Sequence, residues 1–293
     1  MEVKFWGVRG SIASPGPNTV RYGGNTTCIE IRAGKELIIL DGGTGIFPLS
    51  QTLFPELPRK SHIFITHSHW DHIQGLPFFI PIFIPDNHIH LYGAFDPISN
   101  KGIEHVYDVQ LQYSYFPIRE AELKARMHYQ SLSPGQTVHI GDVTIHTVLM
   151  NHPVTNLGYR VEYQGKSVFF TGDHEPPYNL CDKNDKDWQD YEALVVQKTT
   201  DIDDVMRDVD VLIADSSYTP EEYKQKQGWG HGTFDSCIKM AERIGAKRLF
   251  CTHHEPTRSD DALEKVFNEA LERCKPKPSL DVQLAQEGLS IKL

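Results

Sequence analysis

Residues 67 to 72 read His-Ser-His-Trp-Asp-His, directly after the apolar run Ile63-Phe64-Ile65. Such a run reads as a buried strand, which places three imidazoles and a carboxylate on the loop at its end. Any fold for this chain must therefore gather coordinating side chains at one strand terminus. Neutral imidazole and carboxylate are the donors that borderline divalent ions such as zinc prefer. A single zinc takes about three or four protein ligands. Four donors in this stretch, with more His and Asp downstream, point to two ions. The alternative, a polar loop that happens to be His-rich, leaves the downstream donors without a purpose.

The chain has 293 residues, 39% hydrophobic and 23% charged, which is an ordinary globular balance. No apolar stretch is long enough to cross a bilayer, so no membrane partner is expected. The stretch Met1 to Trp6 lacks the layout of a signal peptide and reads as a strand, so a cytoplasmic location is expected. Cys28, Cys181, Cys237, Cys251 and Cys274 are odd in number and widely spaced, which fits reduced thiols rather than a disulfide framework. The net charge is −10 and there is no basic run, which argues against long nucleic acid as a partner.

Strands are predicted at 3–8, 27–31, 37–40, 63–65 and 88–92 in the first third. A second strand-rich block covers 137–140, 143–149, 158–163 and 167–171, followed by strands at 209–214, 247–252 and 289–293. Helices are predicted at 235–244, capped by Thr233 or Asp235, and from Asp260 to about Cys274. Residues 96–130 mix helix formers with aromatics. Residues 174–205 are polar and acidic and read as an insertion forming a lid or a dimer arm. No linker divides the chain. Two halves, each of strands followed by helices, imply one α+β domain over 1–293, an αββα sandwich with its site along the sheet edges.

More donors lie at predicted strand ends: His152, Asp173, Asp215, and the adjacent His253 and His254. Each alone is as consistent with a turn or a cap as with a ligand. Together with the hexapeptide they form a set. The stretch Thr66 to His72 resembles the H-x-H-x-D-H motif of the metallo-β-lactamase-fold hydrolase superfamily. His152, Asp173 and His253 follow that superfamily's ligand order, and Asp41 resembles its upstream supporting Asp. Gly230-His231-Gly232-Thr233 is similar to the His-Ser/Thr motif of the tRNase Z-like branch. The openings Phe5 to Ser11 and Arg21 to Thr26 resemble a bacterial group within that branch.

The resemblance implies a dinuclear site. His67, His69 and His152 would hold one ion; Asp71, His72 and His253 would hold the other; Asp173 would bridge them. Adjacent residues on a strand face opposite ways. Aligning Cys251-Thr252-His253 with the superfamily's Leu-Thr-His favours His253 as the ligand, leaving His254 to support it or to touch substrate. The ions implied are two of zinc, manganese or iron. Such a pair lowers the pKa of bound water and clamps the oxygens of a phosphodiester. Asp71 would orient the attacking water, and His231 would protonate the leaving oxygen.

Substrate expectations rest on less. Only about twenty residues separate His152 from Asp173, where arm-bearing tRNase Z enzymes carry a tRNA-binding extension. With the acidic charge, this favours a small phosphodiester, a 3′,5′-cyclic nucleotide (cyclic AMP or GMP) first. A lactonase or thioesterase on the same fold and a tRNA 3′-processing endoribonuclease are the alternatives. Arg9 is read as a phosphate contact or an ion-pair residue. Tyr113, with Tyr115 and Phe116, is read as a base-stacking group or as packing. The resemblance also implies a homodimer.

Overall fold

The strands with the most continuous apolar sequence, such as Ile63 to Ile65 and Val211 to Ala214, are buried on both faces, and this dictates the layering. The computed structural model describes all 293 residues. Its first sheet contains, in order, β1 (Glu2–Gly7), β2 (Cys28–Ala33), β3 (Glu36–Leu40), β4 (Lys60–Ile65), β5 (His88–Ala94) and β6 (Arg126–Leu132). The second contains β7 (Thr137–Ile140), β8 (Val143–Leu149), β9 (Leu157–Tyr163), β10 (Lys166–Phe170), β11 (Val211–Asp215), β12 (Arg248–Thr252) and β13 (Asp281–Leu284). The last strand, β14 (Ser290–Lys292), returns to pair antiparallel with β1.

One cluster of buried side chains, including Phe5, Ile31, Phe64, Ile145, Tyr159, Phe170 and Phe250, fills the space between the sheets. The outer face of the first sheet is covered by α1 (Ile46–Thr52), α2 (Trp70–Ile73) and α3 (Ile103–Gln110). The second sheet is covered by α4 (Trp188–Met206), with α5 (Pro220–Lys226) following β11, and then α6 (Phe234–Ile244) and α7 (Asp260–Cys274). This is the expected αββα sandwich. The Thr233 hydroxyl caps α6 by accepting from Ser236 N at 3.0 Å. All five cysteines are free, and no helix is long and apolar enough to cross a membrane.

β13 lies outside the predicted strands, and two further segments differ from expectation. Residues 126–132 form β6, whose mixed polar and aromatic sequence hides the strand period. Residues 174–205 are not merely a surface insertion. They begin with the buried His174 and Glu175, and α4 is the crossover that returns the chain to parallel strand β11. Ile202 and Met206 anchor its second half in the core.

The two sheets are tied together where β4 ends. The Tyr159 hydroxyl donates to Ile65 O at 2.7 Å, and Leu157 N donates to Thr66 O at 2.9 Å. Tyr159 is fully buried, so Tyr159→Phe leaves the Ile65 carbonyl without this donor at almost unchanged volume. The expected loss is about 1–3 kcal/mol of unfolding free energy. Urea denaturation measures it, and an unchanged midpoint would show that the tie contributes nothing.

Candidate functional site

Six strands deliver polar side chains from their C-terminal ends to one place. β3 runs parallel to β4, and β10, β11 and β12 are mutually parallel. β8 shares their direction because both β8 and β10 pair antiparallel with β9. Asp41 follows β3, His67 follows β4, His152 follows β8, Asp173 follows β10, Asp215 ends β11 and His253 follows β12. Carboxyl ends of parallel strands are the usual ligand edge of a sheet. Asp41 and His253 both turn the chain in the left-handed region, at φ 61° and 58°. Non-glycine residues hold that conformation uncommonly, and Asp and His are among those that adopt it more readily. Gly10 makes the His253 turn possible, because a Cβ there would lie 2.3 Å from the imidazole.

The side chains form two pockets that share Asp173. In the first, His67 Nε2 and His152 Nε2 stand 3.0 and 3.1 Å from His69 Nδ1, and Asp173 Oδ2 lies 3.5 Å from His67 Nε2. In the second, His72 Nε2 lies 3.3 Å from Asp71 Oδ2 and 3.1 Å from Asp173 Oδ1. His253 Nε2 lies 3.1 and 3.2 Å from the same two oxygens. Within each pocket the donor atoms converge to within 4.8 Å, close enough to share a metal ion.

The far ring nitrogens fix which atom each imidazole offers. His72 Nδ1 donates to Asp41 Oδ2 at 2.7 Å. The Thr66 hydroxyl proton is committed to Asp41, so Thr66 Oγ1 accepts from His67 Nδ1 at 3.1 Å. Ser217 Oγ gives its proton to Asp215 and accepts from His253 Nδ1 at 2.8 Å. His152 Nδ1 donates to Gly230 O at 2.9 Å. Each partner turns an Nε2 lone pair into a pocket, the arrangement that metal-binding imidazoles adopt. His72 Nε2 and Asp173 Oδ1 are buried and have no hydrogen-bond partner of their own, which fits a cation between them.

Charge points the same way. Burial alone would raise the Asp173 carboxyl, but His253, His72 and His67 hold it well below the usual carboxylate range. Burial presses His253 down, but Asp173 and Asp215 outweigh it and push it up to about 9. Protons on His72 and His253 therefore balance the buried carboxylates, and a divalent cation would displace them.

His231 stands beside Asp173, half-buried, with Nδ1 donating to Asp215 Oδ2 at 2.8 Å. Burial disfavours its charge, yet Asp215 raises its pKa overall. Nδ1 is committed, so Nε2 is the atom that can exchange a proton. Sequence reasoning had Asp215 only as a strand-end candidate and overlooked Glu175. This buried carboxylate accepts from Gly228 N and Gly230 N, both at 2.9 Å, and from the Tyr223 hydroxyl at 2.5 Å. It holds the loop that carries His231. The alternating Gly228, Gly230 and Gly232 were the available signal, because such a loop exposes backbone N–H groups that need an acceptor. Gly230 sits at φ 88°, and a Cβ there would lie 2.3 Å from the His152 ring.

The structure removes Arg9 and His254 from the site. The Arg9 side chain is fully buried and donates to Gly23 O at 2.8 Å, Arg258 O at 2.9 Å and Asp260 Oδ1 at 3.2 Å. It ties the N-terminal turn to the start of α7 and does not reach for a phosphate. His254 is fully buried, directs Nε2 to Ala285 O at 2.8 Å and packs on Tyr22, facing away from the pockets. Burial takes it down to about 3. Tyr113 and Tyr115 are exposed, whereas Phe116 packs edge-on against Phe78 at 5.3 Å, so this group divides between surface and packing.

Residues 37–254, which contain both pockets, match the family described as the beta-lactamase superfamily domain. The chain belongs to this superfamily and is a metal-dependent hydrolase. Ribonuclease BN of Cronobacter sakazakii is 25% identical over 305 residues, spanning 92% of this chain and 94% of that one. The metallo-beta-lactamase fold protein YhfI from Bacillus subtilis shares the fold at a TM-score of 0.68 and 19% identity, covering 99% of this chain and 98% of that one. Yeast PDE1 does so at 0.60 and 16%, covering 100% and 99%. The chain resembles short, armless relatives of the tRNase Z type: β9 and β10 are joined by Gln164 and Gly165 alone.

Two outcomes follow for the supporting residues. Glu175→Gln keeps the volume but replaces an accepting oxygen with a donor facing Gly228 or Gly230. Turnover should fall about 10–100-fold, and the first pocket should hold metal more weakly, because the same loop offers Gly230 O to His152. Elemental analysis beside steady-state kinetics tests this, and full turnover with full metal content would refute the role of Glu175 in holding the loop. Arg9→Ala should cost about 3–5 kcal/mol of stability by stripping a buried network of its donor. Thermal unfolding measures that loss.

Proposed function

We propose that the protein is a dinuclear phosphodiesterase acting on small nucleotide phosphodiesters, with 3′,5′-cyclic nucleotides as the favoured substrates. The observation that carries this reading is Asp173, which turns one oxygen into each of two His/Asp pockets while His231 stands beside it. In this reading His67, His69 and His152 would hold one divalent ion and Asp71, His72 and His253 the second, with Asp173 contributing to both pockets. Zinc, manganese and iron all suit the donor set. When bound, the ions supply an activated water and neutralise the charge of the phosphodiester.

The chain's own residues do the rest. Asp71, fixed by Ser11 N at 2.7 Å, orients the attacking water. Asp215 holds His231 so that Nε2 delivers the proton to the leaving alkoxide. An alkoxide leaves poorly without that proton, and positioned acids of this kind contribute about 10²–10⁴-fold. The ribonuclease activity named for the Cronobacter relative supports phosphodiester chemistry over lactone or thioester opening. The two-residue β9–β10 turn and the −10 net charge favour a small substrate over tRNA. A homodimer is the proposed working form.

The deciding experiment is a hydrolysis screen with added manganese or zinc over cyclic AMP, cyclic GMP, pre-tRNA and a lactone. Cyclic-nucleotide cleavage without lactone opening is expected, and the reverse pattern would overturn the reading. His231→Ala should lower kcat on cyclic AMP by about 10²–10⁴-fold with metal binding retained. Removal of metal by a chelator should lower Tm, and about two equivalents of ion per chain should restore it.

A further inference from the structure

His231 stands among three rings. His253 stacks on it at 4.8 Å, His152 lies edge-on at 5.5 Å, and Tyr218 lies edge-on at 5.7 Å with its plane turned by 89°. The two imidazoles belong to the metal pockets, whereas Tyr218 has no part in the mechanism above. The backbone fixes its place. Tyr218 N donates to Gly232 O at 3.1 Å, and Tyr218 O accepts from Phe234 N at 3.3 Å, so the residue is bonded to the segment that directly follows His231.

The Tyr218 side chain is 4% exposed, yet its hydroxyl makes no hydrogen bond within the protein. A buried phenol normally finds a partner. Its oxygen remains open to solvent, unlike that of Tyr107, which is sealed in the core. Burial, and then the charges of Asp215, Glu255 and Asp173, push its pKa up, so the phenol keeps its proton and acts as a donor. The ammonium of Lys226, the last residue of α5, lies 4.2 Å from the centroid of the Tyr218 ring and 3.5 Å from the Glu255 carboxylate, which steadies the ring by a cation–π contact. A reachable donor beside the proposed acid, with no acceptor in the protein, calls for an acceptor from outside. A phosphodiester supplies one, because its negative charge is spread over two non-bridging oxygens.

We propose that Tyr218 is a substrate-contacting residue whose hydroxyl donates to a non-bridging oxygen of the phosphodiester beside His231. The proposal rests on the phosphodiesterase reading and adds what that reading lacks, a neutral donor for the phosphoryl group among the imidazoles and carboxylates of the site.

The test is Tyr218→Phe on the metal-loaded full-length protein. The substitution keeps the ring against His231 and under Lys226 and removes only the hydroxyl. Because that hydroxyl binds nothing in the protein, Tm and metal content should stay at their wild-type values, in contrast to the loss expected for Tyr159→Phe. A hydrogen bond to a charged group is worth about 10–150-fold in binding. The variant should therefore lose about that factor in kcat/KM on the best phosphodiester of the hydrolysis screen. Inorganic phosphate, titrated calorimetrically, should bind the variant at least about tenfold more weakly than the wild type. A kcat/KM within twofold of wild type, or an unmoved phosphate affinity, overturns the contact and leaves the phosphodiesterase reading standing. Loss of metal or a lowered Tm alongside the lost activity also overturns it, since Tyr218 would then act by holding the fold. A wild-type protein that cleaves no phosphodiester overturns both.

Discussion

The structure depends on a carboxylate shared between two clusters of imidazoles. Asp173 is buried with one oxygen facing each pocket, and Asp41, Asp71 and Asp215 are buried nearby. Four desolvated carboxylates in one volume would repel one another strongly unless compensating positive charge is present. The chain's own compensation comes from the surrounding imidazoles, which is why burial fails to set their protonation. His72 and His253 are pushed up despite desolvation, while His67, which has fewer carboxylate neighbours, is pushed down. A concentration of negative charge that the protein can only partly neutralise favours divalent cations.

The sandwich exists to hold those charges still. Each donor sits where a strand stops, and the strands stop at a common edge because they run in one direction within each sheet. The tie from Tyr159 to Ile65 O and the backbone bond from Leu157 to Thr66 align the two edges with each other. The first-sheet loop and the second-sheet loops thus meet at fixed spacing. The left-handed turns at Asp41 and His253 are the local departures that this convergence requires.

Much of this was legible in the sequence. The hexapeptide at 67–72 announced donors at a strand end, and the runs at 143–149, 167–171 and 209–214 located the other ends closely. Less was legible where period and polarity conflict, as in β6, or where a polar stretch becomes a crossover helix, as in α4. Such a helix shows its core face only through Ile202 and Met206. The substrate readings of Arg9 and His254 fail for one reason: the backbone turns both side chains into the protein, where Arg9 makes the ion pair that is its other reading, with Asp260. Sequence proximity cannot reveal that, since it depends on acceptors such as Gly23 O and Ala285 O that are remote in the chain. Asp215 and Glu175 were hard to assign because their roles are exercised through another residue.

That indirectness has a physical consequence. The loop carrying His231 is held by Glu175, and within that loop Gly230 O receives the Nδ1 proton of His152. The proposed acid and one imidazole of the first pocket therefore take their positions from the same few backbone atoms. A shift of the loop would displace the proton donor and rotate a metal-facing ring together, so the two functions cannot be tuned separately. The missing Cβ at Gly230 enforces this, because any other residue there would press the loop off the His152 ring. Close approach of the backbone, rather than flexibility, is what the glycine at this position supplies.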